Sequence, residues 1–314
     1  MPSPPPGHQN VKRERVSALT YSLRSRNVRF ALLIIAPAFL LAGLVLYYPI
    51  VNSALMAFQS VAFGSGKFTW VGMRNFNAVF KGQVFFKAFV WTLIYGALAT
   101  VLLFVIGMYF ALLLNRGMPG TNLIRGLLLM PWSIPVFVNA FLWLWLLNVQ
   151  YGLVNYILVT LKILPSPVHW TGGSIVAKAS VLVAYLWRVF PFNLIVYLAA
   201  FQTIDPMYYE VADIEGANRI QQFFRITISM LRNIITFTAL LNFIWAFQEF
   251  TTIWIMTRGG PAGATNTLMT QVYTRSFMER DFGEAAAMGL LWIGFLIAFS
   301  VFYVRFLFTR EEYS

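Results

Sequence analysis

Side chains able to do chemistry are scarce in this sequence, and the conspicuous ones lie inside long apolar runs. One group is Asn242, Trp245, Gln248 and Glu249. If their run is helical, Asn242, Trp245 and Glu249 stand at i, i+3 and i+7 and share one face. A second group is Arg188, Phe192 and Asn193, with Trp187 beside them. Hydrogen-bonding groups flanking an aromatic ring suit a sugar, whose hydroxyls take the bonds and whose C–H face stacks on the ring. Polar side chains inside a membrane are expensive, and they usually face a bundle interior or a water-filled path. The competing reading is structural. Arg188 and Glu249 would pair with each other, and Asn and Gln would bond helices together without touching a ligand. Arg188 also suits a carboxylate or phosphate, which keeps an acidic or phosphorylated sugar open.

Other chemistries lack their residues. There are no cysteines, which removes disulfides, thiolate metal sites and thiol catalysis. The two histidines, His8 and His169, are far apart and near no carboxylate cluster, so no metal site is expected. No G-x-x-x-x-G-K-[ST] stretch exists, and Gly259-Gly260-Pro261-Ala262-Gly263 has no lysine after it, so no phosphate cradle is expected. No Ser/His/Asp constellation supports a membrane-embedded hydrolase.

The elements that must position these residues follow from composition. Of 314 residues, 59% are hydrophobic and only 11% are charged. A soluble domain averages about 25% charged residues, so this chain reads as a multi-spanning membrane protein. Six runs are long enough to cross a bilayer as helices: Phe30–Tyr48, Ala88–Leu114, Leu127–Val149, Ile175–Ile204, Ile234–Met256 and Ala285–Phe308. Pro37, Pro131 and Pro135 predict kinks. The expected fold is all-α, with residues 30–314 as a six-helix transmembrane domain.

Six spans place both termini on one side. The net charge of +12 indicates which side. Lys12, Arg13, Arg15, Arg24, Arg26 and Arg29 precede the first span, and an N-terminus inside gives thirteen basic residues inside against nine outside. Both termini are therefore expected in the cytoplasm. Residues 1–29 read as a basic, partly disordered cytoplasmic tail, with four prolines in the first ten residues. Ala36 and Ala38 lie at the start of the apolar run, not after it, so an uncleaved span is expected in place of a signal peptide.

The longest inner loop, residues 202–233, carries four of the eleven acidic residues: Asp205, Glu210, Asp213 and Glu215. Asp205-Pro206 predicts a helix start. Gly216 predicts a tight turn, and Asn218 predicts the cap of a second helical piece through Phe223, Phe224 and Ile226. Such a surface suits docking of a protein better than catalysis.

Here the chain resembles a known family. Glu210-Val211-Ala212-x-x-Glu215-Gly216-Ala217, followed by Phe223 and Ile226, is similar to the EAA loop of ABC-importer permease subunits. Trp70-Val71-Gly72-Met73-Arg74-Asn75-Phe76 resembles the family's extracytoplasmic segment after the first span. Met130-Pro131-Trp132-Ser133-Ile134-Pro135 and Tyr151-Gly152-Leu153-Val154-Asn155 resemble its third span and exit. Thr257-Arg258-Gly259-Gly260-Pro261 with Thr265-Asn266-Thr267-Leu268 resembles the outer loop of the subunit type found in maltose, lactose and glycerol-phosphate systems. Departures are Val211 in the second position of E-A-A, Glu215 where Asp is commoner, and Ser229 and Asn233 in place of two family prolines.

The resemblance implies a type I importer permease in a bacterial or archaeal cytoplasmic membrane, forming half of a sugar pathway by alternating access. It implies that Glu210, Ala212, Asp213, Glu215, Gly216, Ala217 and Phe223 couple to an ATPase. It implies substrate contacts on the two helices flanking the loop, which hold Arg188, Phe192, Asn193, Asn242, Trp245, Gln248 and Glu249. It implies docking of a binding protein at Gly259, Gly260, Pro261, Thr265 and Thr267. The implied partners are a second permease subunit, two ATPase subunits, an extracytoplasmic sugar-binding protein and membrane lipid, with no nucleic acid. No cofactor is expected on this chain, since ATP and Mg would belong to the ATPase subunits. The alternative is a self-contained secondary transporter or channel for a small polar solute. Against it, Glu249 is the only intramembrane carboxylate in the expected spans, and no internal repeat is evident.

Overall fold

The computed structural model describes residues 28, 30–61, 68–115 and 120–308. The basic tail expected at 1–29 lies outside the described residues. The chain divides into two units, residues 1–56 and 57–314. The first contributes one long apolar helix, α1 (Phe30–Met56), with a π-helical stretch at Gly43–Tyr47.

The second unit opens with a small antiparallel ribbon. β1 (Gln59–Val61) pairs with β2 (Phe68–Trp70), with Gln59 opposite Trp70 and Ser60 opposite Thr69. α2 (Arg74–Lys81) follows, and Asn75 Nδ2 donates to the Ala57 and Gln59 carbonyls at 2.8 and 2.9 Å. One amide thereby ties α2 to the ribbon.

Two long helices form the centre: α3 (Gln83–Leu114) and α7 (Ser174–Phe201). They run parallel. In lipid there is no hydrophobic drive between helices, so small residues and polar bonds must bring them together. Gly107 is the clearest case. A Cβ there would lie 2.5 Å from Asn193 Cβ, so only glycine admits this approach. Ala99, Ala111, Ala184 and Ala200 are also buried in these two helices.

The third expected span is two helices. α4 (Thr121–Ser133) and α5 (Val136–Leu146) meet at 100°. This exceeds the kink expected from the sequence, and the cause is local. Pro135 drives Ile134 out of the α region, to ψ 128°, and offers no N–H. Pro131 and Pro191 sit inside α4 and α7 without breaking them. α6 (Leu153–Thr160) leads toward α7.

The loop 202–233 holds α8 (Met207–Ile214) and α9 (Arg219–Met230), the latter π-helical over Phe223–Thr227. α10 (Arg232–Phe247) turns from α9 by 73°. This bend sits at Leu231, between Ser229 and Asn233, so it forms without the two family prolines. α11 (Thr251–Thr257), α12 (Leu268–Tyr273, continuing as a π turn over Thr274–Met278) and α13 (Phe282–Phe308) complete the order.

The expected fifth span, Ile234–Met256, is therefore not one helix. It stops at Phe247 and restarts at Thr251. Among the described residues four continuous helices are long and apolar enough to span, and the two bent pairs bring the number to six. Phe243 and Phe247 of α10 pack with Phe295 and Phe299 of α13, with centroids from 4.4 to 6.1 Å apart. Tyr303 also donates to the Thr236 carbonyl at 2.8 Å, fastening α13 to α10.

Candidate functional site

Three groups of expected residues fall in three places: the α8–α9 element, the junction of α7 with α10 and α11, and the loop between α11 and α12.

The α8–α9 element is built by local capping. Asp205 Oδ1 accepts from Met207 N at 2.9 Å and starts α8. Gly216, at φ +79°, ends it. Ala217 N donates to Ala212 O at 2.9 Å, and Gly216 N donates to Asp213 O at 3.1 Å. That bonding pattern is a Schellman closure, which needs a left-handed residue at Gly216. Asn218 then caps α9 in a reciprocal box with Gln221, at 2.9 and 2.8 Å. Gln222 braces the two arms, with Nε2 donating to Asp213 Oδ1 at 2.5 Å and to Ala217 O at 3.2 Å. Tyr209 and Thr227 hydroxyls meet at 2.8 Å. Asp213 and Ala217 thus serve the turn itself, and Ala212 is buried. Glu210 and Glu215 are exposed, and Phe223 is half-buried. The apolar tips Ile214, Ile220 and Phe224 face outward, Ile214 at 87% exposure. Gln222, Tyr209 and Thr227 were not singled out from sequence, because each acts only through a partner on the other arm.

At the α7–α10 junction the expected residues come together as pairs. Arg188 Nη2 lies 3.5 Å from Glu249 Oε2, with the carboxylate 7% exposed. Glu249 Oε1 also accepts from Thr252 N at 2.8 Å, which starts α11. This explains the broken fifth span: the carboxylate takes a backbone N–H that a continuous helix would use. It also corrects the expected single face, since Glu249 lies beyond the last turn of α10. Asn193 and Asn242 are fully buried and bond reciprocally, at 2.7 and 3.2 Å. Phe192 and Trp245 meet edge to face at 4.9 Å. Trp132 stands 6.2 Å from Phe192 and is half exposed, so α4 adds an aromatic that the sequence reading left out. Trp245 and Gln248 are exposed. Beside the ion pair, Tyr95 and Tyr185 are buried with rings 5.7 Å apart, and their hydroxyls have no partner within the described chain. Tyr185 lies one helical turn before Arg188, a spacing visible in sequence; Tyr95 comes from α3 and carried no such signal.

The loop between α11 and α12 is folded tightly on itself. Thr257 and Thr265 hydroxyls meet at 2.7 Å, and Thr265 donates to Gly260 O at 2.8 Å. Thr267 and Thr270 form a capping box for α12. Leu268 N donates to Thr92 Oγ1 at 2.9 Å, fastening the loop to α3. Thr265 and Thr267 are both 0% exposed. Their side chains are therefore unavailable for docking, contrary to the expectation. Gly259 is buried, Gly260 and Pro261 are partly covered, and Arg258, Ala262 and Gly263 form the outward surface.

Continuous and bent apolar helices, with a braced helical turn between α7 and α10, define a multi-pass membrane protein. Residues 103–310 match the family of binding-protein-dependent transport system inner membrane components, and the chain belongs to that family. A probable ABC transporter permease of Brucella suis is 33% identical over 289 residues, covering 90% of this chain and 97% of that protein. The trehalose/maltose transport system permease protein MalF of Thermococcus litoralis is 29% identical over 288 residues, covering 91% and 96%. The diacetylchitobiose uptake system permease protein DasB of Streptomyces coelicolor is 29% identical over 285 residues, covering 89% and 87%. A chain in the crystal structure of a bacterial ABC transporter that imports the acidic polysaccharide alginate superposes with a TM-score of 0.74 at 21% identity, over 95% of this chain and 100% of that one. That likeness is one of fold.

Proposed function

We propose that this chain is the permease subunit of an ATP-driven, binding-protein-dependent importer of a sugar or oligosaccharide, forming half of the pathway through a bacterial or archaeal cytoplasmic membrane. The observation that carries the reading is the α8–α9 element. It is braced by hydrogen bonds between its own arms and exposes apolar tips that nothing in the described chain covers, and it leads into the arms α7 and α10 that hold the polar pairs. Family membership and the carbohydrate relatives support the rest.

In this reading both termini face the cytoplasm, where α8–α9 docks on an ATPase subunit. Two such subunits bind ATP and Mg, and this chain binds neither. Closure of the ATPase pair pushes on Ile214, Ile220 and Phe224. The Gly216 turn with its Gln222 brace passes that displacement to α7 and α10 without absorbing it. A second permease subunit supplies the other half of the pore, and an extracytoplasmic sugar-binding protein docks over Arg258 and Pro261–Gly263. The sugar meets Phe192, Trp245 and Gln248, which are half-buried or exposed and, unlike Arg188, have no ion-pair partner. Arg188, Glu249, Asn193 and Asn242 hold the α7 and α10–α11 arms in register behind them. Arg188 already carries a carboxylate partner, which favours a neutral sugar over an acidic one.

The test is transport in proteoliposomes containing all subunits. Glu210→Ala should lower ATP-driven uptake by about tenfold, the effect of roughly 1.4 kcal/mol of lost coupling, with normal membrane levels. Unchanged uptake at equal levels would remove the coupling role. Co-purification should bring down two ATPase subunits and a second permease; an active homo-oligomer without them would favour a self-contained transporter.

A further inference from the structure

A cleft of about 560 Å³ opens where α3 and α7 begin, at the end of the bundle opposite α8–α9. It is lined by Lys87, Val90, Trp91 and Ile94 of α3, Lys178 of α7, and the Pro261–Ala264 stretch. Lys87 and Lys178 are each the fifth residue of their helix. Neither helix has an acidic residue in its first turn. The N-terminal end of a helix is already positive, so two ammonium groups here face an electrostatic penalty that an anion would relieve. Among the described residues no carboxylate lies within ion-pair distance of either lysine. Lys178 Nζ sits 4.3 Å over the Trp91 ring. Trp91 is 8% exposed, and its Nε1 has no hydrogen-bond partner. Trp91 thus brings an unanswered donor to a cleft whose two lysines have no carboxylate partner among the described residues.

The wall below the lysines indicates what would answer them. Val90, Ile94, Leu98, Val101 and Val105 are all exposed. At 100° per residue they fall within one narrow face of α3, and Lys87 heads the same face. The stripe from Val90 to Val105 is about 22 Å long at 1.5 Å per residue, more than the roughly 15 Å of hydrocarbon in one leaflet, so an acyl chain can lie along it for its whole depth. Basic pockets between membrane helices hold anionic lipid headgroups on the cytoplasmic side, and the same charge attraction acts at the opposite end. We propose that this cleft binds one anionic phospholipid, with its phosphate between Lys87, Lys178 and Trp91 Nε1 and an acyl chain along the α3 stripe. A soluble protein's acidic loop would meet the lysines but not the stripe, and a neutral lipid would meet the stripe but not the lysines. The bound lipid would brace the starts of α3 and α7 against the loop before α12. This rests on the chain spanning a membrane and not on what it transports.

The experiment is native mass spectrometry of the full chain, with its accompanying subunits, extracted from nanodiscs of phosphatidylglycerol or of phosphatidylcholine. Phosphatidylglycerol should stay bound at one per chain, and phosphatidylcholine should not. Lys87→Met with Lys178→Met, which keeps the apolar stems, should lower retention by about 30-fold, the product of two surface-lysine contributions. Lys87→Arg with Lys178→Arg should retain the lipid, which separates loss of charge from loss of fold. Millimolar inorganic phosphate should not displace it. Equal retention of phosphatidylcholine, undiminished retention in the double Met variant, loss in the Arg variant, or displacement by phosphate would each overturn the proposal.

Discussion

The end of this protein opposite α8–α9 and the α8–α9 element itself use the same turn chemistry to opposite purposes. Both contain a left-handed glycine and a reciprocal capping box: Gly259 with Thr267–Thr270 at one end, Gly216 with Asn218–Gln221 at the other. At the end opposite α8–α9 the chain answers many of its own polar groups, although Trp91 Nε1 and the Tyr95 and Tyr185 hydroxyls have no partner within the described chain. Glu249 meets Arg188 and Thr252 N, Thr265 meets Thr257 and Gly260, and Leu268 N meets Thr92. In α8–α9 the backbone is equally well satisfied, but Ile214, Ile220 and Phe224 remain exposed. Buried polar groups that find partners inside the chain contribute to its stability, whereas exposed apolar tips contribute only when a partner covers them. Substitution in the first region should therefore act on the fold, and substitution in the second on assembly and coupling.

The sharpest way to break this comparison is the ion pair. Glu249→Ala leaves the Arg188 guanidinium largely buried without its carboxylate and removes the cap on Thr252 N. We expect a loss of about 3–5 kcal/mol, read as a fall in thermal midpoint of the purified protein in detergent. Arg188→Ala with Glu249→Ala should cost less than the two single losses added, because neither leaves an orphan. A near-neutral Glu249→Ala would show that the pair is not what holds the arms. Gly216→Pro should follow at about 3 kcal/mol against the correct turn, since proline is confined to negative φ and lacks the N–H given to Asp213. The cost should appear in transport, roughly a hundredfold lower, with the melting of the spans little moved. Gly107→Ala should cost about 1–3 kcal/mol by forcing α3 off Asn193. If Gly107→Ala leaves thermal stability unchanged, the close approach of α3 and α7 is not limiting.

The sequence made local features legible and non-local ones much less so. Asp205, Gly216 and Asn218 each act on backbone within three residues, so the α8–α9 turn could be written down from residue types alone. Long apolar runs likewise revealed α1, α3, α7 and α13, because burial in lipid depends on composition along one segment. The break at residues 248–250 stayed hidden: Glu249 leaves the helix for a guanidinium sixty-one positions earlier, which no periodicity records. The 73° bend at Leu231 appeared without the expected prolines, and the 100° bend at Pro135 exceeded the expected kink. Thr265 and Thr267 read as docking residues because the segment around them resembles the family's outer loop. Their burial depends on the loop folding over Thr92, a contact 176 residues away in sequence from Leu268.

The smallest effects draw the line between the two regions most finely. Thr265→Val keeps the shape of the side chain and removes the hydroxyl shared with Thr257 and Gly260. It should lower stability by about 1 kcal/mol, the worth of a typical buried hydrogen bond. Ile214→Asn removes an apolar side chain that touches almost nothing in the chain, and should change stability by less than about 0.5 kcal/mol. In the assembled importer the ranking should invert. Ile214→Asn should weaken retention of the ATPase subunits through a purification wash and lower uptake, because its apolar surface is then in contact. Thr265→Val should retain them as the unaltered chain does. If Ile214→Asn destabilises the isolated chain as much as Thr265→Val, then Ile214 packs within its own chain, and the α8–α9 element is finished without a partner.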